Sequence, residues 1–329
     1  MVADPVLATF WRGPLCEARI RGHVAVVDSS GSLVASLGDP TIVISPRSCA
    51  KPLQALAFVR GAMDAIGAGS ADLAVACASH SGDAVHVAAV SALLGRARAG
   101  PSDLACGPQP PLDEDALAAL YAAGESPQRI HNNCSGKHAA MLATCAVAGW
   151  PLRGYEAPEH PCQRAVTGAL ATAFATDLAD AARGVDGCGL PTYGIRLAAL
   201  ARGFAASLAD PAFVRCQDAM AAHPHLVGGR GRFDTALLAE AGRTLTAKIG
   251  AAGVWVAVAR PAGPAVAIKI DSGESEAMAP IAIATLQHLG MLPQDGLGEL
   301  AAFGRPALRN WAGTVVGEIR TAAAEIASL

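Results

Sequence analysis

Strand-forming sequence in this chain is confined to its two ends, and the long middle reads as helices. At the N-terminal end, residues 18–28 and 32–36 are rich in apolar and β-branched side chains and flank Ser29-Ser30-Gly31, a turn signal, so they read as a hairpin. Residues 41–45 add a short extended entry. At the other end, residues 245–250, 253–259 and 265–270 have strand character, residues 275–289 read as a helix, and residues 313–329 read as a weaker helical tail. Between them, residues 70–78, 84–97, 113–123, 137–147, 160–175, 196–207, 211–222 and 234–246 are alanine-rich and helical in pattern. Two N-terminal and three C-terminal strands are too few for two sheets. The economical solution is one antiparallel sheet joining the chain ends, flanked by helices, with the helical middle inserted. This predicts a mixed α/β (α+β) protein with a discontinuous sheet domain, 1–61 and 246–329, and a mainly helical domain, 62–245.

Composition narrows the function classes. A 329-residue chain that is 52% hydrophobic and 16% charged has ample material for a core. Its net charge of −3, with scattered arginines, offers no basic surface to nucleic acid or to an anionic membrane, so a small-molecule partner is expected. Residues 1–7 place an acid and a proline where a secretion signal needs basic residues and an apolar run, which predicts a cytoplasmic protein. Nine widely spaced cysteines in such a chain read as reduced thiols, most of them packing residues.

The chemistry begins at residues 45–54. Ser48 and Lys51 stand three apart at the expected start of a helix, on one face, where an amine can take the proton of a hydroxyl. The same Ser-x-x-Lys arrangement is used by penicillin-recognising enzymes and their glutaminase relatives. By itself the motif is also compatible with an exposed cap and a solvated lysine. Lysine usage favours the functional reading: only Lys51, Lys137, Lys248 and Lys269 are lysines, and the other 21 of the 25 basic residues are arginines. Arginine does not give up its proton in a protein, whereas a desolvated lysine does, so a site needing a neutral amine must keep lysine. Three of the four fall in stretches with site character, Lys248 being the exception.

Polar or glycine-rich junctions interrupt the helices at 79–83, 131–138, 186–191 and 227–234. Four stretches together, Arg47-Ser48-x-x-Lys51-Pro52, Ala78-Ser79-His80-Ser81-Gly82-Asp83, His131-Asn132-Asn133-Cys134-Ser135-Gly136-Lys137-His138 and Asp186-Gly187-Cys188-Gly189-x-Pro191, resemble the rhizobial-type L-asparaginases, the thermolabile or asparaginase II family. Residues 268–273, Ile-Lys-Ile-Asp-Ser-Gly, extend the resemblance over nearly the whole chain. It implies a fold similar to serine β-lactamases and glutaminases, a homodimer, and hydrolysis of L-asparagine to aspartate and ammonia. It also implies two Ser–Lys pairs, Ser48 with Lys51 and Ser79 with Lys269, and a zinc ion held by Cys134, Lys137 and Cys188, with Asp186 beside the last.

Asp83 departs from the glutamate expected there, and Ser81 competes with Ser79 for the second serine role. Arg47 and Asp186 suit the carboxylate and ammonium of the substrate, while His80 and His138 are further contact candidates; His138 is a tempting fourth metal ligand, but water or the substrate in that position suits an open site better. Oxyanion donors are expected from the Ser48 N–H and, by analogy with the fold, from the edge of the 269–273 strand. Two rivals stay open. One is a glutaminase or other amidase of the same fold; a penicillin-binding enzyme fits less well, for want of Lys-Thr-Gly on the last strand. The other is a non-enzymatic zinc or thiol redox sensor built on Cys134 and Cys188.

Overall fold

The computed structural model describes residues 4–329. It divides into two compact units. The first comprises the chain up to Cys49, Ile195–Ala206 and Thr244–Leu329; the second comprises Ala50–Gly194 and Ser207–Arg243.

The first unit is built on strands β1 (Val6–Arg12), β2 (Leu15–Val27), β3 (Leu33–Leu37) and β4 (Val43–Ile44) from the N-terminal end. The second contributes the short β5 (Arg183–Val185) and β6 (Pro191–Tyr193), after which β7 (Ile195–Arg196) returns to the first. The C-terminal end supplies β8 (Leu245–Gly250), β9 (Val254–Ala259), β10 (Ala265–Ile270), β11 (Ala307–Arg309) and β12 (Val315–Thr321). Eight of these form one antiparallel sheet in the order β11-β12-β1-β2-β10-β9-β8, with β3 also paired to β2. The pairing of β2 with β10, in which His23 faces Lys269, joins the two chain ends as the strand pattern predicts. The fold is mixed α/β, an antiparallel sheet with helices.

The sheet is larger than its sequence signals. β1 has no counterpart in the sequence reading, and the tail read as helix is β12, followed by only one helical turn, Ala323–Ile326. Ala8 pairs with Thr321, a contact across almost the full chain that repays a segment of weak intrinsic preference. Local alanine content at 322–327 favoured helix; tertiary pairing overrode it one segment earlier.

The boundaries differ from those read in sequence as well. The chain leaves the sheet unit at Cys49, not at residue 61. Residues Ile195–Ala206 belong to the sheet unit despite their helical composition. There β7 pairs with β4, and Arg202 Nε donates to Gly31 O at 3.0 Å. No single helix among the described residues is long and apolar enough to cross a membrane.

Candidate active site

In the sheet unit, Ser48 sits in a 3-10 turn, Arg47–Ala50, that precedes the helix Lys51–Gln54. Arg47 adopts φ of +48°, an unusual conformation for a residue with a side chain, and surrounding contacts hold it there. Cys49 N donates to Pro46 O at 3.1 Å, and Cys49 Sγ donates to Lys248 O at 3.1 Å. Gly250 permits this docking: a Cβ there would meet Cys49 Sγ and Pro46 O, each at 3.1 Å. The serine turn is therefore fastened to the end of β8, and Cys49 is a structural contact.

β8 is also a terminal strand of the sheet, so the free strand edge on this side belongs to it. This corrects the expectation of an oxyanion donor at the edge of 269–273. β10 lies between β2 and β9, and the N–H groups of Asp271 and Gly273 are already given to Arg21 O and Ile270 O. Lys248, on β8, is fully buried, with Nζ donating to Ile249 O at 2.8 Å. Sequence reasoning passed over it, although its rarity as a lysine was the available signal.

Lys269 Nζ donates to Ile270 O. Burial lowers its pKa, with Asp271 acting in the opposite direction. Asp271 in turn holds His23 Nε2 at 3.1 Å.

In the helical unit, Lys51 is almost wholly buried. Its Nζ lies 2.6 Å from Ala78 O, 3.2 Å from Asn133 O and 3.0 Å from Ser79 Oγ. The two carbonyls can only accept, so they take two N–H bonds. Nζ donates to Ser79 Oγ as well, so all three of its contacts are with oxygen acceptors. The sequence paired Ser79 with Lys269; the amine bonded to Ser79 is Lys51. Ser81 Oγ instead donates to Gly228 O at 2.9 Å, which commits it to holding the loop.

Beside Lys51 lies a buried cluster of Cys134, Lys137 and Cys188. Cys134 immediately precedes the helix Ser135–Ala148, which places Lys137 in its first turn. Gly136 between them is required by close approach, since a Cβ would lie 2.2 Å from Val75 O. Cys188 stands in the turn of the β5–β6 hairpin. That turn is closed by Asp186 N to Leu190 O and Gly189 N to Asp186 O, both 2.8 Å, with Gly189 at φ of +87°. Asp186 Oδ1 accepts from Gly187 N at 2.8 Å, so its side chain stiffens the turn that carries Cys188.

Lys137 Nζ is 3.2 Å from Cys188 Sγ. The bond from Cys188, and then the ammonium groups of Lys51 and Lys137, hold the Cys134 thiol below its ordinary pKa despite burial. The same Cys134 bond, together with burial, raises that of Cys188. Burial pulls Lys137 down, but Cys134, Cys188 and Asp186 more than offset it. The two thiols and the Lys137 ammonium are thus one electrostatically linked group. Two thiols and an amine converging in a buried pocket suit a soft, tetrahedral ion such as zinc, provided the amine loses its proton on binding.

Both histidine candidates are fully buried, and their pKa values are lowered chiefly by burial. His80 Nε2 donates to Ser135 Oγ at 2.9 Å, because that hydroxyl gives its own proton to Ile130 O at 2.8 Å. His138 Nδ1 is 2.5 Å from Tyr155 Oη, which also accepts from Ala105 N at 2.9 Å. Cys106, read as packing, donates to Arg129 O at 3.7 Å and feels the charges of Cys134 and Lys137, so it borders the cluster.

Among solved structures, a β-lactamase from Mycobacterium bovis is 15% identical and covers 87% of this chain and 96% of its own, with a TM-score of 0.46. No curated protein shows significant sequence similarity. The sequence pattern of L-asparaginase II matches residues 8–321, which takes in both units and every motif described above. The chain therefore belongs to the L-asparaginase II family.

Proposed function

We propose that this asparaginase-type amidohydrolase acts on L-asparagine through a Ser48 acyl-enzyme. Ser48 Oγ attacks the side-chain amide carbon while Lys51 takes the hydroxyl proton. The tetrahedral intermediate collapses with cleavage of the C–N bond, and the proton passes from Lys51 to the departing ammonia. Water then hydrolyses the β-aspartyl ester, with Lys51 again as base, releasing aspartate. The observation that carries this reading is the Lys51 amine, three residues after Ser48, buried, bonded to two carbonyls and 3.0 Å from the Ser79 hydroxyl. Such a group is held ready to move a proton rather than to carry surface charge. Ser79 is assigned as the relay hydroxyl on Lys51, and Lys269 as a cation near the developing charge. Arg47, His80, His138 and Asp186 are assigned to binding the substrate's charged end and shaping its pocket.

Zinc is part of the proposal. Cys134, Lys137 and Cys188 would hold it, and its contribution would be to orient the α-amino or α-carboxylate end of the substrate. A base is already supplied by Lys51, and two thiolates weaken a zinc ion as a Lewis acid, so generation of hydroxide is not its task. Asparagine and glutamine differ by one methylene, worth about 1–3 kcal/mol of discrimination, so glutaminase activity is the near alternative.

A second reading takes Ser79 as the nucleophile, because it is the hydroxyl bonded to Lys51. Rapid quenching of the enzyme with asparagine, followed by peptide mass spectrometry, separates the two. A β-aspartyl adduct on the peptide carrying Ser48 supports the proposal, and one on the peptide carrying Ser79 replaces it. Ammonia release from asparagine, glutamine and a β-lactam tests the substrate class. Activity on none of them would leave the redox-sensor reading in its place.

A further inference from the structure

On the helical unit, three histidines stack in a row. His80 and His86 have ring centroids 5.0 Å apart at 15°, and His86 and His225 are 5.1 Å apart at 17°. Two of them converge on Asp83: His86 Nδ1 lies 2.7 Å from Asp83 Oδ1, and His225 Nε2 lies 2.8 Å from Asp83 Oδ2.

The hydrogen bonds decide which nitrogens carry protons. His86 Nε2 is 2.9 Å from His225 O, and a carbonyl can only accept, so Nε2 carries the proton of a neutral ring. The lone pair of Nδ1 then points at a carboxylate. Asp83 Oδ1 accepts the N–H groups of Val85 and His86 at the start of the following helix, so this carboxylate is an acceptor. His86 is fully buried, and its Nδ1 has no aligned hydrogen-bond partner among the described residues. Two electron-rich atoms at 2.7 Å without an aligned proton repel one another unless a cation lies between them.

We infer that Asp83, His86 and His225 form a binding site for a divalent transition-metal ion of the zinc class, separate from the Cys134/Lys137/Cys188 cluster. One ligand atom from each of the three lies within 4.8 Å of the others, which suits N and O ligands around a common ion. The His86 N–H donated to a backbone carbonyl is the arrangement that fixes the tautomer of a metal-binding imidazole. Asp83 is positioned by its own main chain, since Oδ1 caps the following helix through Val85 N at 3.0 Å and His86 N at 3.1 Å. The His86 ring is held between the stacked rings of His80 and His225. His225 and Asp83 are partly exposed, which leaves a path for the ion and room for water as a further ligand.

The site's position defines its role. The Ser79–Asp83 loop is tied to the segment after His225 by Ser79 N to Val227 O at 3.0 Å and by Ser81 Oγ to Gly228 O at 2.9 Å. An ion bridging Asp83, His86 and His225 completes that tie, so it acts as a clip on the loop that presents Ser79 to Lys51.

Zinc counting on the full-length chain tests this. Protein stripped with chelator and dialysed against excess Zn2+ is expected to hold about two equivalents, falling to one in His225→Gln. The variant Cys134→Ser/Cys188→Ser should keep one, lose it when His225→Gln is added, and gain about 5 °C in unfolding temperature with saturating Zn2+. Equal zinc content with and without His225→Gln, in either background, overturns the inference and leaves a shared proton as the link between Asp83 and His86. If the cysteine variant does not fold, the comparison of wild type with His225→Gln decides alone.

Discussion

The two units bury different kinds of side chain. Among the described residues, the sheet unit's buried polar groups are His23, Thr246, Lys248 and Thr285, set in a core of Val, Ile, Leu and Ala. The helical unit buries Lys51, Asp72, Ser79, His80, Ser81, His86, Asn132, Ser135, Lys137 and His138, among others. Burying such groups is unfavourable unless each finds partners, so a unit that does so extensively gives up stability for a fixed polar network. The sheet unit works as a frame that fastens Ser48 and Lys269 to strands. The helical unit holds Lys51, Ser79 and the Cys134/Lys137/Cys188 cluster, the groups to which the proposal gives proton transfer and metal binding.

The largest effect that could break this division is expected at Ser48. Ser48→Ala should lower kcat by more than about a thousandfold while leaving the denaturation midpoint unchanged, because loss of an attacking group is seldom cheaper than that. Retention of more than a thousandth of the rate, with Ser79→Ala inactive, would move the nucleophile into the helical unit. Comparable damage from both would not, since groups acting together are not additive.

Metal removal comes next. Stripping zinc, or Cys188→Ala, should raise KM by roughly tenfold to a hundredfold and lower kcat much less, as loss of a positioning group does. A collapse of kcat at constant KM would give the helical unit's metal the chemistry itself.

Packing sharpens the comparison at two glycines. Gly136→Ala drives a Cβ into Val75 O and should cost about 1–3 kcal/mol by urea denaturation, with loss of zinc binding. Gly250→Ala meets its neighbours only at 3.1 Å and should cost less in stability, yet lower kcat by shifting the Ser48 turn. Equal zinc loss in both variants would mean that the two units are not separable in this way.

The smallest effect is electrostatic. Burial depresses the pKa of Lys269, so the unfolded chain binds its proton more tightly. Stability therefore rises with pH across the window between the depressed value and the roughly 10.4 of free lysine, and this contribution is lost as pH falls. Lys269→Met should show a flatter change in urea midpoint between pH 7.5 and 9.5 than wild type. An unchanged slope would show that Lys269 is better solvated than its surroundings on β10 indicate.

The sequence by itself determined the features that depend on near neighbours. Helix and strand periodicity located the elements from β8 to β10 and most of the helices. The scarcity of lysine drew attention to Lys51 and Lys137, both of which are buried. Where partners are remote, local signals gave out. β1 and β12 have little strand preference of their own and exist because Ala8 meets Thr321. The Cys188 hairpin lies in a stretch whose glycines announce a turn but not the thiol it aims at. Only the tertiary structure decided that Lys51 bonds Ser79, 28 residues away. It also brought His225 to Asp83 across 142 residues. A side chain's partner in a packed interior is set by which backbones close on each other, and no periodicity along one segment carries that information.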